Sequence, residues 1–247
     1  MQDQVYSKPL NQIVDFAFTD EVAAVFPDMI RRSIPGYEMI IPMTGLIAAR
    51  HLRAGDTVID LGCSLGATSQ AIAAQTDQDI TVVGIDNSDA MVERASQANN
   101  DSRLSFLKAD ALSEPVMEMI SGARVIVMNF FLQFCEPDSR VSLLRKIHKH
   151  LDPEGLVILS EKIIDTDQGK EGFYDDAHLA WKRANGYSDL EVSQKRNALE
   201  NVMRIDSEKV HFDRLNTAGF SQVDQWYKCL NWASFLAWKG SRTSTQT

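Results

Sequence analysis

The chain has 247 residues, 44% of them hydrophobic and 24% charged, which suits a compact folded protein with a sizeable core and excludes a disordered one. Lys plus Arg number 25 against 34 Asp plus Glu, a formal net charge of -9, so the surface field repels polyanions and direct nucleic-acid binding is not expected. The longest apolar stretches, Met39–Leu52 and Val125–Phe134, are too short or too interrupted to span a bilayer, and Met1–Leu10 lacks a signal-peptide core, so a cytoplasmic protein without a membrane partner is expected.

From the N-terminus, residues 11–53 place Phe18, Val22, Val25 and Phe26, then Ile40, Met43 and Ile47, at helical spacing, which predicts helices over the ligand-binding edge of a sheet. From Thr57 short β-branched runs alternate with amphipathic stretches: TVIDLG, ATSQAIAAQ, ITVVGID, SDAMVERASQ and LSFLKAD. Val125–Asn129 continues as a strand and Pro137–Leu151 as a helix. The DPEG turn at Asp152–Gly155 then leads into a strand over Leu156–Ser160. This alternation predicts βαβ units and a parallel core of five strands.

Beyond the core, Gly172–Ala184, Leu190–Met203 and Ser207–Ala218 have helical patterns, the last ended by Gly219. Gln222–Cys229 and Trp232–Lys239 predict an antiparallel hairpin on the sheet edge, and the tail Ser241–Thr247 is expected to be disordered. The expected organisation is one α/β domain: a helical cover over 1–53, a core over 57–160, a helical insertion over 169–218 and closing strands over 222–239. Cys63, Cys135 and Cys229 lie far apart with no CxxC pair and no histidine at ligand spacing, so neither a disulfide framework nor a metal site is expected.

The chemistry concentrates at three strand ends. The first strand runs through Asp60 and Leu61 into Gly62-Cys63-Ser64-Leu65-Gly66, where glycine lets the backbone approach a ligand. Gly62 and Gly66 are separated by three residues and Ser64 stands where a dinucleotide fingerprint has its second glycine, so a pyrophosphate is not the favoured ligand. The second strand ends in Asp86-Asn87, where a carboxylate can accept both hydroxyls of a ribose, and the third in Asp110-Ala111, where a carboxylate or a backbone amide can meet the adenine edge. Alone, Asp86 reads first as a helix cap and Asp110 as a turn residue; their order at successive strand ends describes an adenosine pocket.

From Thr57 to Ser160 this series resembles the class I S-adenosylmethionine-dependent methyltransferases. The resemblance implies a Rossmann-like fold with a mostly parallel seven-stranded sheet, an antiparallel C-terminal hairpin and S-adenosyl-L-methionine as the bound substrate. Longer words extend it: VFPDMIRRSIPGY at Val25–Tyr37, IDLGCSLGA at Ile59–Ala67, GIDNSDAM at Gly84–Met91, NFFLQF at Asn129–Phe134, LSEK at Leu159–Lys162 and KRANGYSDLEVSQKRNALENVM at Lys182–Met203. These resemble the carboxy-S-adenosyl-L-methionine synthase family over nearly the whole chain, the last being the segment a generic methyltransferase has no reason to carry.

That resemblance implies conversion of S-adenosyl-L-methionine and prephenate to the carboxylated sulfonium and phenylpyruvate, through a sulfonium ylide that captures CO2. The product would supply the carboxymethylation of wobble uridine in tRNA by a separate enzyme. It further implies that Tyr37, Gly62, Cys63, Ser64, Asp86, Asn87, Asp110, Ala111 and Asn129 contact the nucleoside sulfonium, and that Arg196 is the catalytic residue that holds the new carboxylate. Arginine suits that task because its guanidinium offers a planar pair of donors. From spacing alone the preferred reading of Arg196 is half of an exposed ion pair with Glu200.

Other residues carry plainer expectations. Cys63 has no His or Asn partner that would make it a nucleophile, and His148 and His178 are given no catalysis. Trp181, Tyr187, Trp226, Trp232 and Trp238 are expected in core or subunit packing. Arg32, Lys162 and Arg183 are candidates for prephenate's carboxylates by charge only. The amphipathic segment Leu190–Met203 suits docking on a second copy, a homodimer in which Arg196 enters the neighbour's pocket. Two other functions share the pocket: an ordinary methyltransferase of a small metabolite, and a non-catalytic nucleoside carrier.

Overall fold

A computed structural model describes residues 1–10, 12 and 14–240. The tail expected to be disordered lies outside the described residues. Parallel strands are buried on both faces and read as continuous apolar runs, and here these runs form β1 (Thr57–Leu61), β2 (Thr81–Asp86), β3 (Leu104–Lys108), β4 (Val125–Asn129) and β5 (Leu156–Ile164). After them come β6 (Asp206–Ser207), β7 (Gln222–Cys229) and β8 (Trp232–Trp238). The sheet order is β3-β2-β1-β4-β5-β8-β7, with β6 beside the end of β5. β1 to β5 are mutually parallel, whereas β8 runs antiparallel to both β5 and β7. The hairpin therefore lies on the sheet edge as expected, with its second strand on the inside.

Successive side chains of the strands serve opposite faces. Ile59, Leu61, Ile126, Met128, Val157 and Leu159 pack under α5 (Glu114–Met119), α6 (Pro137–His150) and α9 (Glu208–Ala218), whereas Val58, Val82, Val125, Val127 and Ile158 pack under α2 (Tyr37–His51) and α3 (Ala67–Ala73). A third cluster joins α1 (Asp20–Ser33) to Met91 of α4 (Asp89–Ala98) and to Phe16 and Phe18 of the N-terminal arm. Within 169–218 the structure makes a division. α7 (Gln168–Ala184) and α8 (Asp189–Glu200) lie toward α1 and the arm, while α9 places Leu215 and Ala218 in the main core.

β5 continues four residues past Ser160 because Glu161, which looks like a strand end in the sequence, is fully buried and Ile163 rejoins the core. Ser207 is both the last residue of β6 and the N-cap of α9, its hydroxyl accepting from Val210 N–H. The helical cover expected over 1–53 begins only at Asp20; residues 1–10 are turns and irregular chain, tied down by Asp3. Its backbone N–H donates to Asp28 Oδ2 at 2.8 Å, its carboxylate accepts from the Tyr187 hydroxyl, and it lies 3.9 Å from Lys195 Nζ.

Candidate active site

The strand order reverses between β1 and β4, and a doubly wound sheet opens its ligand crevice there, beyond the carboxyl ends. A cavity of about 840 Å³ occupies that place, roofed by α1, α2, α7 and α8. β1 delivers the turn in which Gly62 has φ 71° and Ser64 φ 51°. A Cβ on Gly62 would stand 2.7 Å from the Phe131 ring, so both conformation and space demand glycine. Ser64 N–H donates to Asp86 Oδ2 and Ser88 N–H to Asp86 Oδ1, each at 2.9 Å. Fixed by backbone from two elements, the carboxylate keeps lone pairs for a vicinal diol. Burial raises the Asp86 pKa, against the pull of the Ser88, Ser64 and Asn87 N–H groups.

Asp110 follows β3 and accepts from Leu112 N–H at 2.9 Å, beside buried Ala111 on the cavity wall. Asn129 ends β4. Its Nδ2 donates to Thr68 Oγ1 at 3.1 Å, but its Oδ1 is buried without a partner. An orphaned acceptor on a cavity wall matches a ligand N–H, since leaving it unpaired costs roughly 1–3 kcal/mol. The diol-ready carboxylate, the glycine turn and this acceptor fit a nucleoside carrying an amino-acid tail. Tyr37, Gly62, Cys63, Ser64, Asp86, Asn87, Asp110, Ala111 and Asn129 all line this one cavity. Burial pushes the Cys63 thiol far up, which suits a packing residue and not a nucleophile.

Beyond Asn129 the chain turns sharply, with Phe130 at φ 60°, and forms a short 3-10 helix over Leu132–Phe134. Glu161 holds it. Leu132 N–H donates to Glu161 Oε1 at 2.7 Å and Gln133 N–H to Oε2 at 3.0 Å, while Gln133 Oε1 accepts from Lys162 N–H at 3.0 Å. Burial raises the Glu161 pKa to about 8 against the opposing pull of these N–H groups and of Arg140. The loop brings Phe130 edge-on to Trp232, with ring centroids 5.4 Å apart, and His178 of α7 also meets Trp232 edge-on, at 5.9 Å. Tyr37 lies 6.2 Å from Phe130. Trp232 and His178 are thus wall residues of the cavity, a role their sequence context did not signal.

Away from the two aspartates the wall turns cationic, with Lys162 of β5, Lys182 of α7 and Lys195 of α8. Lys195 is engaged within the fold by Ser33 Oγ at 2.9 Å and by Asp3, and burial lowers its pKa to about 7. Of the three basic residues considered for prephenate, only Lys162 reaches the cavity. Arg32 is buried in bonds to the Asn185 and Asp3 carbonyls and Asp28, and Arg183 is paired with Asp189 at 2.7 Å on the surface.

Arg196 is placed differently from the expectation that it stands in the pocket. It is not on the cavity wall of its own chain. Its guanidinium is largely exposed and donates to Asp175 Oδ2 at 3.0 Å, a carboxylate on α7 and not the Glu200 four residues on. Helix spacing offered only Glu200, and packing of α7 on α8 supplied Asp175 instead. From there its charge still holds down the pKa values of Lys162 and Lys182, after the larger effect of their burial.

The family model described as a methyltransferase domain matches residues 58–155. The carboxy-S-adenosyl-L-methionine synthase of Trichlorobacter lovleyi is 46% identical over 239 residues, 96% of this chain and 98% of that protein. The chain belongs to the carboxy-S-adenosyl-L-methionine synthase family. Solved structures confirm the class I methyltransferase fold at low identity. An O-methyltransferase family protein from Burkholderia thailandensis superposes with a TM-score of 0.67 at 14% identity, covering 91% of this chain and 61% of that one. Human N-acetylserotonin methyltransferase in complex with SAM gives 0.62 at 14%, covering 90% and 56%. The synthase-family words noted in the sequence map onto the site's walls: Val25–Tyr37 onto α1 and the start of α2, Asn129–Phe134 onto the Glu161-held loop and Lys182–Met203 onto the cationic roof.

Proposed function

We propose that this enzyme converts S-adenosyl-L-methionine and prephenate to carboxy-S-adenosyl-L-methionine and phenylpyruvate. The supporting observation is that one cavity is lined both by Asp86, Asp110 and Asn129, with its unpartnered Oδ1, and by Lys162, Lys182 and an aromatic wall. An ordinary methyltransferase pocket for a neutral acceptor has no use for those lysines.

The balance of the reaction is simple. A sulfonium acidifies its methyl group, which gives up a proton; prephenate loses CO2 and hydroxide as its ring aromatises. The methyl carbon takes up the CO2, and proton and hydroxide leave as water. The protein's part is to hold both substrates in a closed, weakly hydrated space so that CO2 meets the carbon before it escapes. Asp86 holds the ribose, Asn129 the nucleoside's polar tail, and Arg196 the carboxylate created, either in its own chain after release from Asp175 or in the pocket of a second copy in a homodimer. We place this chemistry in the cytoplasm, upstream of tRNA wobble-uridine carboxymethylation; among the described residues no helix is long and apolar enough to cross a membrane.

Mass spectrometry of the small molecule released from protein purified without added nucleoside tests the reading. The expected species is S-adenosylmethionine heavier by one CO2. Plain S-adenosylmethionine, unchanged by supplied prephenate, would return the protein to the methyltransferases.

A further inference from the structure

Two ammonium groups on the cavity wall have no partner. Lys162 and Lys182 are half-buried, both line the cavity, and neither Nζ makes a hydrogen bond or ion pair among the described residues. Every other cation on that wall is engaged: Lys195 with Ser33, and Arg31 with Asp28 at 3.4 Å. Lys162 is the direct antiparallel partner of Trp232, whose indole Nε1 is a third buried donor without an acceptor. Two unpaired ammonium groups, from β5 and α7, thus line a space walled by Phe130, Trp232 and His178. His178 adds no charge, because burial drops its pKa to about 3 and its Nε2 meets the Ser33 carbonyl at 2.8 Å.

Donors left unpaired in a desolvated wall imply an acceptor that arrives with the ligand. Burial lowers the pKa of Lys182 to about 8, with Lys162 and Arg196 adding and Asp175 opposing, and burial also lowers that of Lys162, with Arg196 adding and Asp175 and Glu171 opposing. A bound carboxylate relieves this by supplying the counter-charge. The neighbouring aromatic edges suit a six-membered unsaturated ring.

We propose that Lys162 and Lys182 form the subsite for the retained side-chain carboxylate of the CO2-donating co-substrate, an aromatic or cyclohexadienyl keto acid. This rests on the function proposed above. The assignment to the retained carboxylate follows from energetics: cations gripping the carboxylate that leaves as CO2 would stabilise the ground state and oppose its loss, whereas cations on the retained one bind ground state and transition state alike. The co-substrate then lies with its ring along Phe130 and Trp232 and its departing carboxyl toward the nucleoside end. The same subsite holds the keto-acid product until release, so that product competes with the co-substrate.

The test pairs turnover with equilibrium binding of phenylpyruvate, which needs no reaction, for the intact enzyme and for Lys162→Met and Lys182→Met. Thermal melts confirm folding, and Lys182→Arg, which keeps the charge, separates charge from packing. The expected result is a rise of at least tenfold in both the KM for prephenate and the Kd for phenylpyruvate in each Met variant. The Kd for S-adenosylmethionine should stay within twofold, with partial recovery in Lys182→Arg. Normal turnover and unchanged prephenate and phenylpyruvate constants in the Met variants would overturn the subsite while leaving the proposed function standing. Lysine-dependent phenylpyruvate binding by an enzyme that yields no product from prephenate would uphold the subsite and overturn the function. Absence of both would overturn both.

Discussion

Arg196 on α8 donates from Nη1 to Asp175 Oδ2 on α7 at 3.0 Å, bridging the two helices that roof the cationic end of the cavity. The guanidinium's side chain is 62% exposed, and solvent-screened pairs of this kind contribute roughly 0–1 kcal/mol. Arg196→Ala is therefore expected to move the melting temperature by no more than about 2–4 °C. Loss of its charge-assisted contact to a ligand carboxylate should instead weaken carboxy-S-adenosyl-L-methionine binding at least tenfold, from about 1.5–3 kcal/mol. Calorimetric titration of the carboxylated and plain nucleosides checks this; equal weakening of both would remove the assignment.

Asp3 connects the arm to the roof, being 2% exposed and serving Tyr187, Lys195 and Arg32 together. Asp3→Ala would leave the buried Lys195 ammonium with Ser33 and the face of Tyr187 alone. Breaking a buried pair from one side costs on the order of 3 kcal/mol, so the melting temperature should fall by about 6–12 °C. A shift under 2 °C in a thermal melt would show that the arm is not anchored through this carboxylate.

Glu161 fixes the loop that carries Phe130, Phe131 and Gln133 to the cavity. Glutamine presents one acceptor oxygen where the carboxylate presents two, so Glu161→Gln should strand either Leu132 or Gln133 N–H at a cost of about 1–3 kcal/mol. Because Phe131 packs against Gly62, S-adenosylmethionine affinity should fall alongside stability. Hydrogen exchange at residues 130–134 is the direct readout, and unchanged protection there would contradict the positioning role.

His211 stacks on Phe235 with centroids 5.5 Å apart, and burial, then the charge of Arg214, lowers its pKa to about 4. The unfolded chain takes up a proton as pH falls through about 6.5 while the folded chain does so only near 4. The unfolded state binds more protons in that window, so stability is fully present above it and declines from pH 6.5 toward 4, by on the order of 3 kcal/mol for this site. His178 contributes in the same direction down to about 3. In His211→Phe the melting temperature should fall less steeply between pH 7 and pH 5 than in the parent. Parallel curves would show that His211 is not a source of the acid sensitivity.

Much of this molecule is written locally. The β-branched runs, the DPEG turn and the capping serines set the parallel core, because strand and helix periodicity are properties of neighbours in sequence. Gly62, Asp86 and Asp110 were legible for the same reason: each stands at a strand end, and a parallel sheet brings all its strand ends to one edge; Asn129 was assigned only through the family resemblance. Glu161 misled because a charge in sequence signals a surface, and only a loop returning from β4 with two N–H groups makes its burial tolerable. Lys162, Lys182, Trp232 and His178 come from β5, α7 and β8; His178 and Lys182 sit four apart on one helix, but no spacing rule links that helix to the two strands. The choice between Glu200 and Asp175 for Arg196, and the anchoring of Asp3 on α8, were likewise decided by packing. Partners for buried or half-buried charge are set by which elements the core presses together, and that information is distributed over the whole chain rather than held at any one position.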